Sequence, residues 1–186
     1  MVVEHVQIEF QGDDNMLQEQ KDNILELLKC AYEKRNFSHH YLIPYKEFFD
    51  TDEMFTDFNC ERSLGKLQYI SLIEKIIDKD KEAQVYVEIY GFETQCDDIW
   101  IYANTLIVLS VLSFEEIQEI LNESSDLFPS DIGEMDDMTE EYTLIKDGCQ
   151  CLAKEHLNKS SNIYYCWWDD INNGLKQQGY WLFDEG

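Results

Sequence analysis

Between Lys81 and Lys146 the chain contains no lysine, arginine or histidine. That 64-residue run, residues 82–145, holds 16 carboxylates. It has no internal cation to pair with, so its fold must come from apolar burial while its carboxylates stay solvated. The apolar material is present. Hydrophobic residues make up 44% of the 186 residues and aromatics 13%, with 8 Gly and 2 Pro. Disordered acidic tails lack such content, because they cannot bury enough area to offset chain entropy. The base-free run carries 16 of the 25 net negative charges, and the other 122 residues carry nine.

This balance excludes whole classes of function. Nucleic acids are dense polyanions, and direct binding needs a basic patch. Only two arginines exist, Arg35 and Arg62. Phosphate handling and attachment to anionic membranes are equally hard to build from this composition. No window reaches 18 apolar residues, so no transmembrane helix is expected. The N-terminus shows no signal peptide. A cytoplasmic location and six free thiols follow: Cys30, Cys60, Cys96, Cys149, Cys151 and Cys166.

Hydrophobic patterning predicts an opening strand over residues 2–10 and a helix over 16–35. A loop over 36–44 and one or two short helices over 45–58 follow. Ser63 is placed to cap a helix over 64–78 with Leu67, Ile70, Ile73, Ile76 and Ile77 inward. Strands are expected at 84–92, 99–103 and 105–112, with Asn104 as a bend. Ser113-Phe114-Glu115-Glu116 reads as a capping box opening a helix to about Asn122. Pro129 and Gly133 mark a loop. Residues 140–145 fit strand or helix, and 147–157 a helix. Residues 163–168 form a strand, 169–174 a turn and 179–183 a final strand. The whole, residues 1–186, is expected to be one α+β domain, helix-rich to about residue 80 and sheet-rich after it. Its core is a mainly antiparallel sheet with helices packed on it.

Catalytic and cofactor signatures are missing: no G-x-G-x-x-G, G-K-[ST], H-E-x-x-H or G-x-S-x-G occurs. Cys149-x-Cys151 with His156 is the nearest approach to a metal cluster, but a closed zinc site needs four ligands. Residues 169–174 suggest a calcium loop only superficially. Ile171 and Tyr180 stand where the EF-hand needs ligands, so a turn is the plainer reading. Glu19-x-Lys21 reads as a solvated helix face. No cofactor and no metal are expected.

Eleven acids lie between Glu115 and Glu141. With Ile117, Ile120 and Leu121 inward, Glu115, Glu119 and Glu123 fall at i, i+4 and i+8 on the opposite side. Like charges at that spacing oppose each other by a few tenths of a kcal/mol per pair, at roughly the scale known for helices. Acidic low-arginine surfaces also occur as general solubility or halophile-like features, but sign segregation on a folded scaffold is what steering of a basic partner needs. The candidate partner-binding residues are Glu115, Glu119, Glu123, Asp126, Asp131, Glu134, Asp136, Asp137, Glu140 and Glu141. A second cluster, Tyr164, Tyr165, Trp167, Trp168, Tyr180, Trp181 and Phe183, reads as core first and interface second.

In charge, size and lack of catalytic motifs the chain resembles the small acidic immunity proteins that protect bacteria from nuclease toxins. The resemblance carries over no residue. It implies a non-enzymatic inhibitor of a basic protein partner, a nuclease toxin or another nucleic-acid enzyme. A phage-encoded DNA mimic, anti-restriction or anti-CRISPR, is the alternative. A carboxylate-dependent hydrolase is the second, and would need a concave pocket holding two carboxylates of separated pKa.

Overall fold

The computed structural model describes Asp22, Glu26 and residues 40–50, 56–58, 66–95, 98–124, 127–138, 141–147, 149–159 and 161–168. The elements in order are β1 (His40–Pro44), α1 (Tyr45–Asp50), β2 (Thr56–Phe58), α2 (Lys66–Lys79), β3 (Gln84–Gln95) and β4 (Asp98–Ser110). Then come α3 (Phe114–Asn122), β5 (Asp131–Met135), β6 (Tyr142–Lys146), β7 (Cys149–Leu152), α4 (Ala153–His156) and β8 (Asn162–Trp167). The strands form one mixed sheet in the order β5-β8-β4-β3-β1-β6-β7, with β2 also beside β4. Among the described strands, only β1–β6 and β2–β4 pair in parallel. The expected α+β class with a mostly antiparallel sheet is what the chain adopts.

The base-free run supplies the middle of this sheet, β3 and β4. Their side chains alternate between two buried faces. One face carries Val85, Val87, Leu106 and Val108 with Tyr164 and Cys166 of β8. It packs under α2 through Leu72, Ile73 and Ile76, and under α3 through Ile117, Ile120 and Leu121. The other face carries Leu42, Tyr86, Ile107, Leu109 and Leu144. It is covered at one end by Met138, Ala153 and Leu157.

Alternation in β8 runs as expected, and its inward residues are core. Tyr164, Cys166 and Trp168 are fully buried. The Tyr164 hydroxyl donates to the Leu112 carbonyl at 2.6 Å and the Trp168 indole to Leu127 at 2.9 Å, so neither polar handle is stranded. The capping box is also present: Glu116 N–H donates to Ser113 Oγ at 3.3 Å, and Ser113 N–H to Glu116 Oε2 at 2.8 Å.

Several expectations are corrected. The stretch before Pro44 is not a loop but β1, an inner strand, which ends at the proline that has no N–H to give. Of the described residues in the next region, Tyr45–Asp50 form the expected short helix, whereas Thr56–Phe58 are a strand. Leu67 is 80% exposed rather than inward. Asn104 does not end a strand. Glu88 pairs with Thr105 and Ile89 with Ala103, so Asn104 is an extra residue in one continuous β4. Its carbonyl accepts from Trp168 N–H at 2.9 Å. Gly133 lies inside β5, not in a loop. Residues 142–146 are strand. The helix expected at 147–157 is a hairpin strand, β7, and the single turn α4. Lys146 pairs with Cys149, and Asp147 turns the corner at φ 50°.

The expected elements at 2–10, 169–174 and 179–183 and the Ser63 cap lie outside the described residues. Of the expected helix at 16–35, Asp22 and Glu26 are described, and both are helical. Among the described residues no helix is long and apolar enough to cross a membrane.

Candidate functional site

The eight described candidate carboxylates form two groups, one along α3 over the first face and one around β5, whose Glu134 pairs with first-face Tyr164 and so shares the α3 side. Glu115, Glu119 and Glu123 are exposed along the outer side of α3, whose inner side packs on the first face. Among the described residues no ion pair holds any of the three. The sequence places no lysine near them, but α2 brings one: Lys75 Nζ donates to Ser124 Oγ at 2.9 Å, just past the end of α3.

The other group surrounds β5. Glu134, Asp136 and Asp137 are exposed and line a cavity of about 820 Å³ on the second face, floored by Leu109, Leu157 and Ile163. Lys154, Glu155 and Lys159 line the same cavity, so this group is not one-signed in space. Asp131, also exposed, starts β5. It accepts from Ile132 N–H at 2.9 Å and from the Tyr165 hydroxyl at 3.0 Å. Glu141 is exposed before β6, and its carbonyl accepts from His40 N–H at 2.9 Å. Asp126 and Glu140 lie outside the described residues.

Sequence reasoning missed two carboxylates that the fold uses. Asp80, 7% exposed, accepts from the Ser110 hydroxyl at 2.7 Å, Val111 N–H at 2.9 Å and Glu82 N–H at 3.1 Å. The Ser110 bond first, and the backbone bonds after it, hold its carboxyl below the usual range despite burial. It ties the end of α2 and the turn into β3 to the end of β4. Glu88, on β3, pairs with the His40 ring of β1. That hydrogen bond raises the His40 pKa against the opposing effect of burial, and the charges of Glu88 and Glu141 add to it. Tyr142 of β6 stacks on His40 with ring centroids 4.5 Å apart and 15° between planes. Burial first, then Glu88 and Glu141, push the Tyr142 phenol up to about 12. His40 was legible only as one of four histidines, because its partner is 48 residues away.

Cys149 and Cys151 lie on strand β7 and His156 ends the single turn α4. Cys149 is exposed on β7, and the Cys151 thiol points to the Leu144 carbonyl at 3.7 Å. Among the described residues no three His, Cys, Asp or Glu side chains gather closely enough to hold a metal ion. No protein-family model, curated protein or solved structure matches the chain.

Proposed function

We propose that the protein is a non-enzymatic inhibitor that binds a basic protein partner, most simply as an immunity protein against a nuclease toxin. One observation carries this reading. Glu115, Glu119, Glu123, Asp131, Glu134, Asp136, Asp137 and Glu141 are all exposed, on a scaffold with buried apolar clusters on both faces of one sheet. Exposed carboxylates on a rigid frame project a field that raises encounter rates with a cationic surface. A nuclease supplies such a surface, since it must hold phosphates. The cavity beside β5 is what a hydrolase would use, but its carboxylates Glu134, Asp136, Asp137 and Glu155 are all exposed. A general acid working near neutral pH needs the desolvation they lack.

The test is inhibition of a panel of purified bacterial nuclease-toxin domains, followed by stopped-flow association with any domain that is inhibited. Two charge reversals are compared: Glu115, Glu119 and Glu123 to Lys, and Asp136 and Asp137 to Lys. Each should slow association about tenfold at low salt, with the difference shrinking as salt screens the field. Failure to inhibit any nuclease, or association rates indifferent to both reversals, would overturn the proposal.

A further inference from the structure

Among the described residues, the second face of the sheet is covered at one end only. At the other end a shallow groove of about 410 Å³ remains, bounded by side chains from six strands. Its shape follows from register. Leu42 pairs with Glu88, Glu88 with Thr105, Thr105 with Trp167 and Trp167 with Asp131. These five residues form one row across the sheet, with neighbouring strands about 4.8 Å apart. Thr105 is the short residue in the row. On one side stands the stacked pair His40 and Tyr142. On the other stand Tyr165 and Trp167, the latter 36% exposed.

The polar groups of the groove are carboxylates and their donors, with no lysine or arginine among its lining. Glu88 Oε1 is taken by His40, while among the described residues Oε2 has no hydrogen-bond partner. Asp131 accepts two hydrogen bonds and keeps further lone pairs. The groove is net negative whichever form His40 takes, because two carboxylates face one imidazole.

Ring faces beside a free carboxylate oxygen are the chemistry that recognises a flat organic cation. A guanidinium stacks on tryptophan and tyrosine faces and donates in a planar fork to a carboxylate. An ammonium would gain less, having no plane to stack. We propose that this groove receives an arginine side chain presented by the basic partner, with Trp167 as the stacking wall and Glu88 as the acceptor. The proposal rests on the inhibitor reading, and it names the contact that follows the electrostatic encounter.

The experiment titrates the full chain with N-acetyl-arginine amide, following indole and amide resonances by NMR. N-acetyl-citrulline amide, neutral and nearly isosteric, and N-acetyl-lysine amide serve as comparisons. The arginine probe should saturate in the millimolar range and shift the Trp167 indole, the lysine probe should bind several-fold more weakly, and citrulline should not saturate. Trp167→Ala and Glu88→Gln should each weaken the arginine probe at least fivefold. Glu115→Lys with Glu119→Lys and Glu123→Lys should leave its affinity within twofold. Equal binding of citrulline, or arginine binding that survives both groove variants, would overturn the proposal. Such an outcome leaves the nuclease assay free to succeed, and a failure of that assay leaves this titration readable.

Discussion

Gly133 offers the sharpest check on the geometry of the open face. It sits in β5 opposite Tyr165, and the tyrosine ring lies across it. A Cβ built on Gly133 would stand 2.6 Å from Tyr165 Cε1 and 2.7 Å from its hydroxyl oxygen. Carbon contacts are comfortable only from about 3.5 Å. On propensity alone, Gly133→Ala in a strand should stabilise by about 0.5–1 kcal/mol, since glycine loses more backbone freedom on folding. Overpacking opposes this by about 1–3 kcal/mol. The low end applies here, because the atoms that must move are the far end of a half-exposed ring. The expected net effect is a loss of no more than about 0.5 kcal/mol, seen as a Tm lower by roughly 1–2 °C for a domain of this size. Urea titration followed by circular dichroism measures it. The decisive arm is the double variant. On a Tyr165→Ala background the obstacle is gone, and Gly133→Ala should turn neutral or stabilising. A single variant that stabilises, or a double-mutant cycle without coupling, would refute the packing argument and with it the placement of Tyr165 in the groove.

Ser113→Ala removes the acceptor of the capping box and should cost about 1 kcal/mol, measured by the same urea titration. Thiol alkylation followed by peptide mass spectrometry at pH 8 should label exposed Cys149 first and half-buried Cys151 more slowly. Cys166, buried and pushed up to about 12, should be labelled only on unfolding. Stability should respond to pH in three windows. His40 has a raised pKa, so its contribution is full below about 6.5 and fades as pH rises through the folded value. Asp80 has a lowered pKa, so its contribution holds above about 3.8 and is lost as pH falls through the folded value; Asp80→Asn should flatten that acid limb. Tyr142 holds its proton to about 12 when folded, so thermal melts should show stability lost between about pH 10 and 12, where the unfolded phenol ionises first.

What could be read from the chain was what is local. The capping box spans four residues and specifies its own hydrogen bonds, and α3 begins where it says. The faces of β8 follow from a period of two, so Tyr164 and Cys166 could be placed before any neighbour was known. Errors gathered where a local signal was read against the wrong partner. Asp147-Gly148 is a hairpin signal at the start of the expected helix, and Cys149–Leu157 lacks the alternation of a half-buried strand that would have supported it. β7 is short and mostly exposed, so it has no buried face to produce one. Gly133 marks a loop on sequence alone, whereas its lack of a side chain makes room for Tyr165 from 32 residues away. Asp80 looked like one carboxylate among 39. Only the fold brings Ser110 to it.

The charge pattern shows the same limit. One sign over residues 82–145 suggests one acidic surface, but β3 and β4 occupy the centre of the sheet, and neighbours from outside the run bring bases to it. β1 brings His40 to Glu88, α2 brings Lys75 to the end of α3, and the α4 region brings Lys154 and Lys159 to the cavity beside β5. Glu115, Glu119 and Glu123 remain as the one-signed row. On the proposed reading, steering and docking fall to different places in this molecule. A field adds over the whole surface and fades over about 8–10 Å in physiological salt, so the α3 row can draw a cation without touching it. Contact needs oriented groups, and the proposed ones stand on the opposite face, where Trp167 and Glu88 flank Thr105. Reversing the α3 row should therefore change the association rate of a partner and leave its dissociation rate alone. Trp167→Ala should do the reverse, and a partner whose two rates responded together to either change would show that attraction and contact share one surface after all.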